Sequence, residues 1–267
     1  MASWIRASAV VCALVLIAAC GGGEDQVTQR EAEFAAIEQQ KAALEAKRQE
    51  VARLEEQLAA ANAMTEEAAE EAVEGEEAAE EMPSAEELEQ QLATARNEAQ
   101  ALSEEFMENL VNFLNSANMV QGEEPTGVLL EAIRMKSAED LVIAQEYINK
   151  GGDYRRAIEI LQTALMLDPD NPQLVAALEQ AKADQYMTEE RFAQVTKGMT
   201  MDQVRETIGT VNVHNVREYP EKNVTAWFYR REDRGAAGVY FQEKDGEMLV
   251  YRADFNAITP EGEESEG

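Results

Sequence analysis

The chain has 267 residues, of which 45% are hydrophobic, and this composition allows one or two modest domains rather than one large core. Its 53 acidic residues outnumber 23 lysines and arginines and give a formal net charge of −30. Because nucleic-acid binding needs clustered cations against the phosphates, this charge argues against a nucleic-acid partner. Cys12 and Cys20 are the only cysteines, so we expect neither a disulfide framework nor a thiolate metal site.

The first 19 residues have the organisation of an export signal. Arg6 provides the positive charge, and residues 9–19 form an apolar run that is shorter than the roughly 20 residues a spanning helix needs. We therefore predict a signal peptide over residues 1–19, removed by cleavage before Cys20. The alternatives are an ordinary secretory signal with an incidental cysteine, or an uncleaved anchor.

The residues that end this signal, Ile17-Ala18-Ala19-Cys20, resemble the bacterial lipobox. The resemblance implies a diacylglycerol group on the sulfur of Cys20, which would hold the protein to a membrane without a transmembrane segment. In Gram-negative lipoprotein sorting, the lack of an aspartate directly after the cysteine favours transport to the outer membrane. By this resemblance we expect a lipid-anchored protein of the outer membrane that faces the periplasm.

Residues 20–62 are predicted to form the anchor and a helical stalk. From residue 24 to residue 62 there is no Gly or Pro, and Ile37, Leu44, Val51 and Leu58 recur at intervals of seven. A coiled coil needs a second apolar column, and the candidate columns are largely polar. Weak self-association and folding back onto the chain's own domain therefore both stay open. Residues 63–83 place like charges three and four apart, which weakens a helix, and we predict an acidic linker.

Residues 84–187 are predicted to be helical. Ser84 with Glu87, and Ser137 with Asp140, have the spacing of capping boxes that begin helices, and Gly151-Gly152 is expected to end the second. Asp153 and Asn171 are expected to cap the two helices that follow.

Part of this region, residues 138–171, resembles a tetratricopeptide repeat. The residues that carry the resemblance are Gly152-Asp153-Tyr154, Ala157, Leu161, Ala164-Leu165 and Leu167-Asp168-Pro169-Asp170-Asn171. Stacked repeats of this family form concave peptide-binding surfaces, but at least three copies are generally needed. A single clear copy leaves open whether the hairpin binds a peptide or only packs.

Residues 188–260 are predicted to form an α+β domain, followed by an acidic tail at 261–267. Two short helices are expected, the first over residues 188–195 and the second capped by Thr200 with Gln203 and ended by Gly209. Strands are predicted at about 211–218, 224–231, 238–243 and 247–255, with Asp245-Gly246 as a hairpin turn. This order predicts a three- or four-stranded antiparallel sheet with the helices on one face.

This segment resembles the SmpA/OmlA, or BamE-like, family of outer-membrane lipoproteins. The resemblance rests on residues 192–204 (FAQVTKGMTMDQV), on Ile208-Gly209, and on the strand residues Trp227-Phe228-Tyr229 and Val239-Tyr240-Phe241. It departs from the family where Thr210-Val211 stands in place of a common proline. The family implies a protein-binding module of the envelope, in its type member an accessory of β-barrel assembly, although fold alone does not establish function.

Aromatic residues point to both faces of the predicted sheet, while helices can cover only one. We hypothesise that Trp227, Tyr229 and Tyr240, with Arg231 nearby, contact a protein partner, because aromatic residues and arginine are favoured at interface hot spots. The alternative is that Trp227 and Tyr229 form the core side.

Catalytic motifs are missing from the sequence. His214 is the only histidine, and no nucleophile elbow, phosphate loop or zinc spacing accompanies it. We expect a protein-binding adaptor or scaffold without a cofactor or enzymatic activity. The alternative function is a binder or inhibitor of a secreted enzyme.

Overall fold

The computed structural model describes residues 24–70, 84–117, 124–244 and 246–259, which form an α+β protein. The predicted signal peptide, Cys20, most of the acidic linker (71–83) and the acidic tail lie outside the described residues. The helices are α1 (Glu24–Glu70), α2 (Ala85–Ser116), α3 (Val128–Gly151), α4 (Tyr154–Leu167), α5 (Pro172–Asp184), α6 (Glu189–Phe192) and α7 (Met201–Ile208). The strands are β1 (Val216–Tyr219), β2 (Val224–Arg230), β3 (Ala236–Lys244) and β4 (Glu247–Ile258).

The chain divides into two compact units, Met1–Phe106 and Met107–Gly267. In the first unit α1 packs against the first part of α2 in an antiparallel pair. An apolar cluster of Leu54, Leu88, Leu92 and Ala95 lies between the two helices. Two ion pairs flank it, Lys47 with Glu98 at 2.8 Å and Arg96 with Glu55 at 2.7 Å. The predicted helix is confirmed, and it packs back on α2, which was the alternative to a free stalk.

The helix α1 runs past its predicted end at residue 62. It continues to Glu70 and so includes the first part of the predicted acidic linker. The alanines and glutamates of this stretch are strong helix formers, and their propensity outweighs the repulsion between like charges.

Most of the predicted helix caps are present. Ser84 and Glu87 exchange both bonds of a capping box, and α3 ends at Gly152 in the left-handed conformation. Asp153 caps α4 by accepting from the amide of Arg156, and Asn171 caps α5 ahead of Pro172. Local polar chemistry therefore fixes these boundaries.

The predicted helix start at Ser137 is wrong. Ser137 lies in the middle of α3, which begins at Val128, and its buried hydroxyl has no hydrogen-bond partner. Asp140 pairs with Lys136 one turn earlier, with 2.6 Å between Nζ and Oδ2. Buried apolar residues upstream, Ala132 and Ile133, continue the helix face, and their burial outweighs the weak capping signal.

The four strands form one antiparallel sheet in the order β1-β2-β3-β4. The helices α6 and α7 cover one face and close an apolar core with it. Thr200 and Gln203 form the predicted capping box of α7, and Gly246 lies between β3 and β4 at φ 87°. The predicted first strand was too long, because Asn212 caps a 3-10 turn at Val213–Asn215 and β1 begins only at Val216.

Hydrogen bonds to backbone carbonyls join the helical region of the second unit to its sheet domain. Thr210 Oγ1 donates to the carbonyl of Asn149 at 2.8 Å, and the amide of Met187 donates to the carbonyl of Arg230 at 2.8 Å. A Cβ built on Gly152 would lie 2.4 Å from the carbonyl oxygen of Thr210. We call this contact region between Gly152 and the segment 210–212 the joint. It shows that the two predicted regions, 84–187 and 188–260, are not independent in this unit.

Candidate functional site

Two of the four residues predicted to bind a partner lie in the core. Trp227 is 3% exposed and Tyr229 is 7% exposed, and both point to the face covered by α6 and α7. The Trp227 ring packs at 4.6 Å from that of Phe241, and the Tyr229 hydroxyl donates to the carbonyl of Gly209 at 3.0 Å. Burial raises the pKa of Tyr229 far above its usual value. Their assignment to the uncovered face is therefore wrong, and the alternative of a core position holds.

Arg231 does not present a free guanidinium. Its side chain is only 14% exposed and pairs with Asp233. Its Nη1 donates to the carbonyl of Phe255 at 3.1 Å and to the side chain of Asn256, and the group lies 4.4 Å from the Phe255 ring centre. The fork of guanidinium donors thus holds the end of β4 in place. The predicted interface role of Arg231 is replaced by a structural one.

Tyr240 lies on the face of the sheet that α6 and α7 leave uncovered, and we call this the open face. Its ring meets that of Phe228 edge to face at 6.0 Å and that of Tyr251 at 6.3 Å. The guanidinium of Arg252 lies 5.1 Å from the Tyr240 ring centre. Burial raises the pKa of Tyr240, and Arg252 opposes this shift. Of the four predicted residues, Tyr240 alone is on the open face.

Gly238 makes room for this aromatic row. A Cβ at that position would lie 3.0 Å from the ring of Tyr240 and 2.8 Å from the Cβ of Ala257. The absence of a side chain on Gly238 lets the Tyr240 ring lie flat along its own strand. The row then runs from β2 through β3 to β4, as Phe228, Tyr240 and Tyr251.

Several open-face residues were missed by the sequence reasoning. Tyr219 and Tyr251 are 43% and 40% exposed, which is high for tyrosines in strands. Phe228 could have been found from its alternation with Trp227 and Tyr229. Tyr251 could have been found in the same way, because it follows Val250, which is buried on the core face. The register shift between the pairs of Tyr240 and Phe241 instead affects Arg252, which it places opposite Tyr240 on the open face.

The open face and its margin carry positive charge in an otherwise acidic chain. Arg252 pairs with Asp254 at 2.6 Å. Arg217 donates to two backbone carbonyls, and Arg230 lies over the ring of Tyr186 at 5.9 Å. Among the described residues, no carboxylate forms an ion pair with Arg217 or Arg230. The open face and its margin therefore combine aromatic rings with arginine side chains, two of which have no carboxylate partner among the described residues.

A cavity of about 270 Å³ lies beside the joint. Its walls come from the start of α4, the segment between α5 and α6, the turn at Val213–Asn215, and the end of β2. Arg191 spans one wall, donating to the carbonyl of Ile208 at 2.8 Å and pairing with Asp184 at 3.2 Å. Phe228 and Arg230 also line the cavity, so it borders the open face.

The described residues contain no group of three or more His, Cys, Asp or Glu side chains suited to a metal ion. None of the described helices has both the length and the apolar character needed to cross a bilayer. No protein-family model, curated protein or solved structure matches the chain, so the family resemblances stay predictions.

Proposed function

We propose that this protein is a lipid-anchored adaptor of the bacterial envelope that binds another protein through the open face. The observation that supports the proposal most strongly is the row of Phe228, Tyr240 and Tyr251, with the guanidinium of Arg252 over the Tyr240 ring. Aromatic residues and arginine contribute much of the binding energy at protein interfaces, and exposed aromatic surface is costly to leave in water.

The shape of the open face also suits a protein ligand. The aromatic rings contact one another across three strands, edge to face between Phe228 and Tyr240 and tilted between Tyr240 and Tyr251, so they are ordered before a partner arrives. Binding then loses little side-chain entropy, because Arg252 and Phe228 already restrict Tyr240. A sheet face with preordered rings favours a broad, shallow contact.

The membrane part of the proposal rests on the lipobox-like residues that end at Cys20. Substitution Cys20→Ala is expected to abolish labelling by a fatty-acid analogue and to release the protein from the membrane fraction. A Cys20→Ala protein that still sediments with membranes would contradict lipid anchoring.

The open face is tested by a pair of matched substitutions. Tyr251 on the open face and Tyr147 on α3 are both 40% exposed, so changing either to alanine removes a similar amount of surface. Binding is measured by in-cell crosslinking of the full chain, followed by identification of the crosslinked protein. We expect Tyr251→Ala to lose the crosslinked product and Tyr147→Ala to retain it.

The opposite outcome would move the binding surface to the helices. Loss with Tyr147→Ala alone would assign binding to the tetratricopeptide-like hairpin and refute the open face. The thermal unfolding midpoint of each variant serves as the control for folding. Recovery of a single secreted enzyme would favour an inhibitor over an adaptor.

A further inference from the structure

The cavity beside the joint has the size of a small-ligand site. Its volume of about 270 Å³ lies just under the range of about 300–1,000 Å³ that is usual for ligand pockets. Tyr154 and Tyr186 contribute aromatic walls, and Asn212 and His214 contribute polar groups. A ligand that fits this space is no larger than one or two amino-acid residues.

The acidic and basic side chains that line the cavity differ in whether they already have partners of opposite charge or hydrogen-bond donors. The carboxylate of Asp153 accepts from the amide of Arg156 as a helix cap, and that of Asp184 pairs with Arg191. Arg230 has no carboxylate partner among the described residues, where it lies over the Tyr186 ring. Both carboxylates thus already have hydrogen-bond or ion-pair partners within the fold, whereas the guanidinium of Arg230 is available to a ligand.

Arg155 provides a second available cation. Its nearest carboxylate is that of Glu159, at 3.8 Å, and Glu159 pairs more closely with Arg156, at 3.2 Å. The contact of Arg155 with Glu159 is therefore loose and exposed, and such pairs contribute little. A ligand anion could replace it at small cost.

We propose that this cavity binds a small organic carboxylate, held by Arg155 and Arg230 with its apolar part against Tyr154 and Tyr186. A guanidinium presents a planar fork of donors that matches the two oxygens of a carboxylate. The tyrosine rings supply the apolar contact that an inorganic anion would not use. This site goes beyond the adaptor function, since Arg155 belongs to α4 and not to the sheet.

The single histidine makes the proposal directly testable. His214 lines the cavity and is the only histidine in the chain, so its imidazole gives one assignable NMR signal. The full chain, purified in detergent without a histidine tag, is titrated at constant pH with N-acetyl-L-phenylalanine. We expect a saturable shift of the His214 signal, and no shift with the amide of the same compound.

Three variants locate the ligand within the cavity. Arg155→Gln is expected to weaken binding about fivefold or more, because a charge-assisted hydrogen bond is lost. Glu159→Gln is expected to tighten binding, since it releases Arg155 from its competing carboxylate. The control is Arg134→Gln, which removes the same charge from α3 about 26 Å along the helix from Gly151 and should leave binding unchanged.

Three results would overturn the proposal. The first is a His214 signal that does not move, or that moves equally with the amide. The second is equal weakening by Arg155→Gln and Arg134→Gln, which would indicate a non-specific charge effect. The third is equal affinity for inorganic phosphate, which would contradict an organic carboxylate as the ligand.

Discussion

Substitution Gly152→Ala should strongly destabilise the second unit. Gly152 has φ 58° and ψ 22°, a left-handed conformation that costs an L-residue such as alanine about 1–2 kcal/mol. The added Cβ would also lie 2.4 Å from the Thr210 carbonyl oxygen and 2.6 Å from the Asn212 nitrogen. Both neighbours are backbone atoms, so neither can turn away as a flexible side chain would.

The backbone strain and the steric overlap are separate effects of the same substitution, so their free-energy costs add. Overpacking of a well-filled region costs about 1–3 kcal/mol, which brings the expected loss to about 2–5 kcal/mol. For a unit of this size each kcal/mol lowers the melting temperature by about 2–4 °C. A fall of about 4–20 °C is therefore expected in a thermal unfolding curve followed by circular dichroism.

The neighbouring glycine provides the control. Gly151 is the last residue of α3, its φ is not positive, and a Cβ built on it meets nothing within 4 Å. Gly151→Ala should leave stability unchanged or raise it by up to about 1 kcal/mol, because alanine favours the helix. If the two alanine variants melted together, the close contact at the joint would be refuted.

Further predictions concern three side chains in the second unit. Burial raises the folded-state pKa of Tyr229, so its contribution to the free energy of unfolding is complete below about pH 10 and declines above it. Tyr229→Phe should flatten that decline. At neutral pH the same substitution should cost about 1 kcal/mol, because the hydrogen bond to the Gly209 carbonyl is lost. Urea unfolding at about pH 7 and about pH 11 measures both effects, and an unchanged alkaline decline would argue against this origin. Ser137→Ala should raise the free energy of unfolding by up to about 1–2 kcal/mol, since it removes a buried hydroxyl without a partner. If urea unfolding gave a lower free energy of unfolding for the variant, the hydroxyl would be hydrogen-bonded in solution. Arg231→Ala should lower the free energy of unfolding by about 1–3 kcal/mol, because the Phe255 carbonyl loses its donor. Arg231→Lys should restore little of that stability. Full restoration by lysine would contradict a requirement for the guanidinium fork.

The helix boundaries were largely predictable because their chemistry is local. Ser84, Asp153 and Thr200 each cap a helix with a side chain that accepts from the amide three residues later. The same short-range rule failed at Ser137, where the spacing of a capping box occurs inside a longer helix. There the decisive contribution is the burial of residues such as Ile133, which depends on the rest of the fold.

The α+β class of the C-terminal region was predictable, and the identity of its open face was not. Trp227 and Tyr229 alternate with Phe228, so the pattern shows two aromatic-bearing faces without telling which one the helices cover. Val204 and Ile208 of α7 pack on the Trp227 side, and that choice is made by tertiary packing. The register shift in β4 then places Arg252 opposite Tyr240, on the same face as Tyr251, which alternation alone would not predict.

Gly152 shows why the helices α3 to α5 cannot be exchanged freely for another set of helices. One residue both ends α3 and admits the backbone of the segment 210–212 at contact distance. A duplicated or transplanted helical pair would therefore need a glycine at this place in its turn, and also a neighbour able to accept the Thr210 hydroxyl as Asn149 does. Helical repeat proteins usually change length by gaining or losing whole repeats. The close contact at Gly152 restricts such a change at the turn between α3 and α4.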